Sequence, residues 1–299
     1  HLVVKPGPAT IFHATPTIDR LIPWTPVTDG SALKRQLLTA RQAIRRFRFR
    51  GYDLAVVPRW DFDDTPVRYL AAASRASSIV GFAPVPDREP EWLGDQSRLL
   101  TDVIPRGETP LLSVLQRVAD HLGLTWIAHS DPAVGAGLFD DADLARATEL
   151  AHLPLEPGLV VGIGIGARNA KRQWPIEAIV ETMVELAKAR PIAVQVLGGG
   201  VDRARGGELA DKLRAHGIVV ADLAGAFTLS ESAAAISRCG LFLGNDSGLQ
   251  HIASSLNVPT LVVTCHPATG SPWSDNAPER FGPWSTRSRV IQPAHPVDG

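Results

Sequence analysis

Apolar residues along the chain alternate between short runs rich in β-branched side chains and longer stretches with helical periodicity. This alternation is typical of βαβ units, in which helices cover both faces of a parallel sheet. For the first part of the chain it predicts strands at 1–6, 19–24, 52–58 and 78–82 and helices at 31–50, 65–77, 110–122 and 141–152. Residues 83–107, rich in Pro, Glu and Asp, predict a long loop.

The alternation restarts more clearly after a proline-containing linker near 153–158. The predicted strands are LVVGIGIG, IAVQVLGG, IVVADLAG, LFLGN and VPTLVVT, and the predicted helices are IEAIVETMVELAKA, ARGGELADKLRAHG, SESAAAISRC and LQHIASSL. We therefore predict an α/β protein of two Rossmann-like domains, 1–152 and 153–299.

Composition narrows the class of protein. Of 299 residues, 44% are hydrophobic and 20% charged, which is typical of a globular protein. The formal net charge of -1 argues against a nucleic-acid partner. The cysteines, Cys239 and Cys265, set neither a zinc motif nor a disulfide framework, which suits a reducing compartment. With no apolar run of membrane-spanning length, we expect a cytoplasmic protein.

In open parallel sheets, ligands bind beyond the carboxyl ends of the strands. One such loop, GNDSG, ends in a predicted helix. Asp246 and Ser247 are suited to capping that helix. The alternative is that the backbone N–H groups of Ser247, Gly248 and Leu249 hold a phosphate at the positive end of the helix dipole. Capping does not require all of N-D-S-G, so the string favours a ligand.

His251 follows on the same predicted helix. Its apolar stripe comprises Leu249, Ile252, Ala253 and Leu256, which recur at helical spacing. His251 falls on another side of the helix, so we do not expect a core histidine. A surface histidine and a pocket histidine both remain open.

A second loop, GIGIGARNAKRQWP, contains Gly162, Gly164 and Ala167 in the spacing of a dinucleotide fingerprint. An NAD(P)-dependent oxidoreductase is therefore an alternative. Against it, the basic residues that follow separate these positions from the next helix, and the next strand ends in glycines. Arg168, Lys171 and Arg172 instead suit a diphosphate leaving group. A solvated basic loop is the simpler interpretation.

Two further features lie in the first part. Asp61-x-Asp63 follows a predicted strand and formally matches a metal–nucleotide motif, although a polar loop with a helix cap is the favoured interpretation. The helix LKRQLLTARQAIRRFRFR carries seven basic residues, Lys34, Arg35, Arg41, Arg45, Arg46, Arg48 and Arg50. A solvated helix face is favoured, and attraction to an anionic acceptor or membrane surface is the alternative.

Taken together, the motifs GARNAKRQWP, VLGGG and ADLAGAFTLSESAAAISRCGLFLGNDSGLQHIASSLNVPT resemble glycosyltransferase family 9, the heptosyltransferase family of lipopolysaccharide assembly. YDLAVVPRWD and SSIVGF add to the resemblance, which is strongest over 160–262. It implies a GT-B fold, with two Rossmann-like domains facing across a cleft, the acceptor bound by 1–152 and the nucleotide-sugar donor by 153–299.

The resemblance also implies a reaction: metal-independent, inverting transfer from a nucleotide-activated sugar, typically ADP-heptose, with no cofactor. The acceptor would be a glycan or a lipid-linked core, reached from the cytoplasm or the inner membrane face. Lys171, with Arg168 nearby, would neutralise the diphosphate. Asp246 would bind sugar hydroxyls, Ser247, Gly248 and Leu249 phosphate, and His251 would line the pocket.

The catalytic base is the weak point of this resemblance. Family members open with a strand and a Gly-Asp loop that carries the base, and the chain begins with His1 at a position after that loop. We therefore expect part of the first domain to precede this sequence. Asp61 is the candidate base or acceptor contact that remains. An inactive fragment that only binds a nucleotide-sugar is a further alternative.

Overall fold

The computed structural model describes residues 1–27, 29–47, 51–59, 67–83, 96–105, 114–125, 135, 137–153, 158–272, 274 and 276–295. The chain forms two compact units. The larger unit comprises His1–Pro23 and Ala128–Gly299, and the smaller unit comprises Trp24–Ile127. The larger unit thus takes residues from both sides of position 152. The functional division at that position stays a prediction.

The strands are β1 (Leu2–Val4), β2 (Leu21–Pro23), β3 (Leu54–Val57), β4 (Ser78–Phe82), β5 (Asp102–Ile104), β6 (Leu159–Gly164), β7 (Ile192–Leu197), β8 (Val219–Asp222), β9 (Leu241–Asn245), β10 (Thr260–Val263) and β11 (Ser288–Ile291). The α-helices are α1 (Pro6–Ala9), α2 (Ala32–Phe47), α3 (Val67–Ala73), α4 (Val114–His121), α5 (Asp141–Ala151), α6 (Ile176–Ala189), α7 (Arg203–Ala215), α8 (Leu229–Ser237), α9 (Gly248–Ser255) and α10 (Pro278–Phe281). None of these helices is long and apolar enough to cross a membrane, within the described part of the chain.

The larger unit contains a six-stranded parallel sheet in the order β11-β10-β9-β6-β7-β8. Read from β8, this is the doubly wound order of a Rossmann fold. One face of the sheet carries a core with residues of α5, α8 and α9, and the other a core with residues of α6 and α7. The predicted α/β fold with parallel, helix-covered strands is confirmed for this part of the chain.

The strands of the first part divide between two sheets. β1 and β2 pair in parallel within the larger unit, whereas β3, β4 and β5 form a three-stranded parallel sheet in the smaller unit. Two separate apolar clusters include Val80 with Ile104 and Val57 with Ile79, so this small sheet also has buried residues on alternating sides.

Two edge strands escaped prediction. β5 lies inside 83–107, where we predicted a loop, and β11 follows a stretch without predicted elements. Among the three residues of β5 only Ile104 is buried. Both are short edge strands with a charged residue at an exposed position, Asp102 in β5 and Arg289 in β11. They therefore lack the apolar run that marked β3 and β8, the predicted edge strands of the same two sheets.

Gly162 and Gly164 lie inside β6 and not in the loop that follows it. A Cβ atom on Gly162 would lie 2.9 Å from Cys239 Sγ, and one on Gly164 would lie 2.8 Å from Cζ of Phe242. The glycines therefore make room for a buried aromatic ring from the neighbouring strand β9. Their spacing has a packing reason that is independent of dinucleotide binding.

The segment before β2 contacts the chain just before α5 through a hydrogen bond and a close backbone approach. Gly137 has a φ of +77°, and its carbonyl accepts a hydrogen bond of 3.1 Å from Thr15 Oγ1. A Cβ atom at Gly137 would collide with the carbonyl oxygen of Ala14 and approach Thr15 Cα to 2.6 Å. This close backbone approach joins residues that are far apart in the sequence.

We expect Gly137→Ala to lower the free energy of unfolding by about 2–5 kcal/mol, combining a left-handed backbone with overpacking. Gly217→Ala is the matched control, since Gly217 has a φ of +75° and a Cβ atom added there would meet nothing within 4 Å. It should cost only about 1–2 kcal/mol. Urea unfolding of both variants measures the difference, and equal losses would contradict the close approach.

Candidate functional site

The site is built where β6 and β9 lie side by side at the centre of the large sheet. Gly164 of β6 pairs with Gly244 of β9, so the loops that follow both strands begin next to each other. β7 and β8 continue the sheet on one side of this pair, β10 and β11 on the other. Such a reversal of strand order opens a crevice at the carboxyl ends, where ligands bind in open α/β sheets.

Asn245, the last residue of β9, holds the loop that follows β6. Its side chain is 1% exposed. Nδ2 donates a hydrogen bond of 2.8 Å to the Ile165 carbonyl, and Oδ1 accepts one of 2.7 Å from the backbone N–H of Trp174. Arg205 of α7 donates to the Trp174 carbonyl at 2.5 Å. The basic loop is therefore fixed at both ends.

Arg172 is the cation that this loop delivers to the site. Its Nη2 donates to the Asp246 carbonyl oxygen at 2.6 Å and forms a short ion pair with the Asp246 carboxylate. The Asp246 side chain is 10% exposed and that of Arg172 28%. Within the described residues, Arg172 Nε is buried without a hydrogen-bond partner. The ion pair with Asp246 therefore leaves one of the five donors of the guanidinium unsatisfied.

Lys171 and Arg168, the predicted diphosphate contacts, are both exposed. Lys171 belongs to a 3-10 helix, Ala170–Arg172, and its backbone N–H donates to Asn169 Oδ1 at 3.0 Å. The structure brings Arg172, and not Lys171, against Asp246. The sequence contains both cations side by side, and nothing in it distinguishes them.

The N-terminus of helix α9 is not capped by the side chain of its N-cap residue. Ser247 is the N-cap, in extended conformation, and its side chain makes no capping hydrogen bond. A Cβ atom on Gly248 would meet nothing within 4 Å, so the backbone there is open on that side. The first N–H groups of a helix have no partner within it, and with the helix dipole they suit an anion. Asp246 precedes this opening directly.

His251 is exposed on α9, while Ile252 and Ala253 are buried and Leu249 is half-buried. The predicted separation of His251 from the apolar stripe is confirmed. Gln250, fully buried and missed by sequence reasoning, has its Nε2 2.9 Å from His251 Nε2. Because an amide nitrogen donates, the neutral ring carries its proton on Nδ1.

The protein atoms around the ring desolvate it even though part of it is exposed, and this lowers the pKa of His251 below its ordinary value. The nearby Asp246 carboxylate acts in the opposite direction on that pKa. Desolvation dominates, so the ring is neutral at neutral pH. A neutral imidazole at the helix opening adds no charge to the site.

A second group of side chains, His13, Asp140 and Asp143, has the composition to hold a metal ion. His13 Nε2 lies 3.2 Å from Asp140 Oδ2, and its Nδ1 lies 2.6 Å from the Thr10 carbonyl oxygen. That carbonyl, followed by Asp140, raises the pKa of His13. Asp140 and Asp143 also form the capping box of α5. The three side chains thus satisfy one another at a helix start.

Asp61, the candidate base, lies outside the described residues, as does Asp63. Its role stays a prediction.

Residues 137–295 match the sequence profile of glycosyltransferase family 9 (heptosyltransferase), which is more than half of the chain. The chain belongs to glycosyltransferase family 9. The predicted resemblance to this family of transferases is confirmed. No curated protein matches the chain.

Solved structures of two heptosyltransferases and of a family 9 transferase share the fold at low identity. ADP-heptose lps heptosyltransferase II of E. coli matches with a TM-score of 0.66 and 18% identity, over 97% of this chain and 80% of that one. E. coli heptosyltransferase WaaC with ADP matches with 0.67 and 17%, over 98% and 83%. A family 9 transferase from Veillonella parvula matches with 0.71 and 19%, over 97% and 76%. The predicted GT-B class is confirmed at the level of fold.

We expect the His251 imidazole to titrate below the ordinary histidine pKa of about 6.5. Asp246→Asn should lower the midpoint further, because the carboxylate stabilises the imidazolium. In the wild type, His251 has a lower pKa in the folded chain than in the unfolded chain, so the unfolded chain binds the proton more readily. His251 therefore lowers the free energy of unfolding as the pH falls below about 6.5. NMR titration of the ring measures both midpoints. A midpoint above 6.5, or a rise in the variant, would contradict this assignment.

Proposed function

We propose that the chain is an inverting glycosyltransferase that moves a heptose-type sugar from ADP-heptose to a glycan or lipopolysaccharide-core acceptor, without a metal ion. The observation that carries this proposal is the Arg172–Asp246 pair beside the open N-terminus of α9, at the centre of the sheet. A cation, a carboxylate and the first backbone N–H groups of α9 meet there. They match the diphosphate and the hydroxyl groups of a sugar nucleotide.

The chemistry of transfer explains why these groups belong together. As the bond from the anomeric carbon to the diphosphate breaks, negative charge grows on the departing ADP and positive charge on the sugar. Fixed hydrogen-bond donors stabilise the developing negative charge without reorganising. Arg172 and the N–H groups of Gly248 and Leu249 would serve the diphosphate, while the Asp246 carboxylate would accept hydrogen bonds from sugar hydroxyls.

Two structural neighbours support the choice of donor. One is described as an ADP-heptose heptosyltransferase, and another fold match is E. coli WaaC with ADP-2-deoxy-2-fluoro heptose. The second has a TM-score of 0.61 at 16% identity. We propose the same donor, ADP-heptose, for this chain. The charges of Arg172 and Asp246 support a sugar-diphosphate donor independently of these neighbours.

We expect ADP and ADP-heptose to bind to this site, and Arg172→Ala to weaken both about 10- to 100-fold, as loss of a charge-assisted hydrogen bond does. Lys171→Ala should have a smaller effect, because Lys171 is exposed. Asp246→Asn should weaken ADP-heptose more than ADP, because the variant loses the proposed contact with the sugar as well as the charge partner of Arg172. Isothermal titration calorimetry with both ligands measures the three effects.

Lys188→Ala is the matched control for this titration, since Lys188 is an exposed cation in the last turn of α6 paired with Glu185. It should leave both affinities unchanged. NAD should not compete with ADP-heptose. Tighter dependence on Lys171 than on Arg172, or displacement of the sugar nucleotide by NAD, would contradict the donor assignment.

The base that takes the acceptor proton is proposed to be Asp61. A general base contributes about 10²–10⁴-fold to a rate, which sets the scale for its removal. Asp63 belongs to the same D-x-D string, whose other interpretation is a metal–nucleotide site. The two interpretations differ in whether both aspartates and a metal are needed.

We expect Asp61→Asn to lower kcat by at least about 10²-fold with little change in donor affinity. Asp63→Asn should leave kcat nearly unchanged, and EDTA should not inhibit transfer. The rate of ADP release during sugar transfer to a heptose-free lipopolysaccharide core measures all three. An equal loss of kcat in both variants, together with inhibition by EDTA, would favour a metal site and contradict the role of Asp61 as the base.

A further inference from the structure

The helix α2 presents a row of large apolar side chains away from the core. Leu33 is 64% exposed, Leu37 62% and Ile44 50%. At 3.6 residues per turn these three positions fall within about 40° of one another on the helix. Phe47, one turn beyond Ile44, is instead buried, with 3% of its surface exposed.

A different face of α2 packs into the smaller unit. Thr39 and Ala43 are fully buried, and with Phe47 they define the core side of the helix. The helix α2 therefore has a buried face toward the core and, next to it, a separate exposed apolar row. Packing among the described residues explains the first, while the second stays exposed, at the usual cost for apolar surface.

A basic row lies next to the apolar one. Lys34, Arg41 and Arg45 are exposed and follow at about 80–120° around the helix from Leu33. The helix contains basic residues at five positions and no acidic residue, in a chain whose formal net charge is -1. Positive charge is thus segregated onto α2, and it borders the apolar row on the solvent side.

We propose that the outer face of α2 docks on an anionic membrane surface. This outer face is defined by Leu33, Lys34, Leu37, Arg41, Ile44 and Arg45. The apolar row would enter the boundary between headgroups and acyl chains, while the neighbouring basic row contacts anionic headgroups, as an interfacial amphipathic helix does. The proposal goes beyond donor chemistry and does not depend on the Arg172 site.

Charge favours a lipid surface over a second copy of the chain. A symmetric dimer through the outer face would pair like surfaces, and so would bring two basic rows together. That repulsion is absent against an anionic bilayer, which attracts each Lys or Arg near its surface. Charge complementarity therefore selects the lipid occupant.

Flotation of the full chain with vesicles tests the proposal. We expect binding to vesicles of equal parts phosphatidylcholine and phosphatidylglycerol, and much weaker binding to pure phosphatidylcholine. The double variant Leu33→Ser/Leu37→Ser should lower the partition coefficient at least about tenfold. Arg41→Gln/Arg45→Gln should lower it about fivefold for each charge removed, and added salt should weaken the wild type.

Matched controls lie on the larger unit. Val201→Ser changes an apolar side chain that is 96% exposed, and Lys188→Gln changes an exposed cation. Neither should alter partitioning. Far-UV circular dichroism and ADP binding check that the α2 variants remain folded, which is expected because the changed side chains are exposed.

Equal binding to neutral and anionic vesicles, or unchanged binding in either α2 double variant, would overturn the proposal. A wild-type dimer that the leucine variants dissociate, without vesicle binding by the wild type, would assign the face to a second copy and overturn it as well.

Discussion

The Asn245 side chain is the constraint on which the geometry of the site depends. Buried at the end of β9, it bonds to Ile165 at the beginning of the basic loop and to Trp174 at its end. These two hydrogen bonds restrict the positions that the loop, and with it Arg172, can adopt. They hold Arg172 close to Asp246, the residue after Asn245, with which it forms the ion pair. A buried amide with both ends satisfied also avoids the penalty of an unpaired polar group.

The same strand pair explains the glycines of β6. Phe242 fills the space that side chains at Gly162 and Gly164 would need, so that β6 and β9 approach with an aromatic ring between sheet and helices. A dinucleotide fold places its glycines in the turn, near the pyrophosphate. Here they lie one step earlier, within the strand. Spacing alone does not separate these two situations, because it carries no information on where the strand ends.

Much of the fold was predictable because its central strands are buried on both faces and its helices are amphipathic. The edge strands β5 and β11 were not, since charged residues at their exposed positions interrupt the apolar pattern. At the site, the sequence predicted Asp246, Ser247, Gly248 and His251 at the opening of a helix, and the structure has them at the start of α9. The contact of Arg172 with Asp246 and the bonds of Asn245 to the basic loop were not predicted, because they depend on which side chain reaches across to another strand. The two faces of α2 likewise depend on the surrounding packing.

The path of the chain between its two units bears on how the protein folds. Residues 1–23 belong to the larger unit, yet more than a hundred residues, including the whole smaller unit, separate them from the remainder of it. The contact of His13 with Asp140 spans 127 positions. During synthesis, residues 1–23 can contact the remainder of the larger unit only after the smaller unit has been synthesised. Such long-range closure slows folding, and it leaves β1 and β2 exposed to other chains in the meantime.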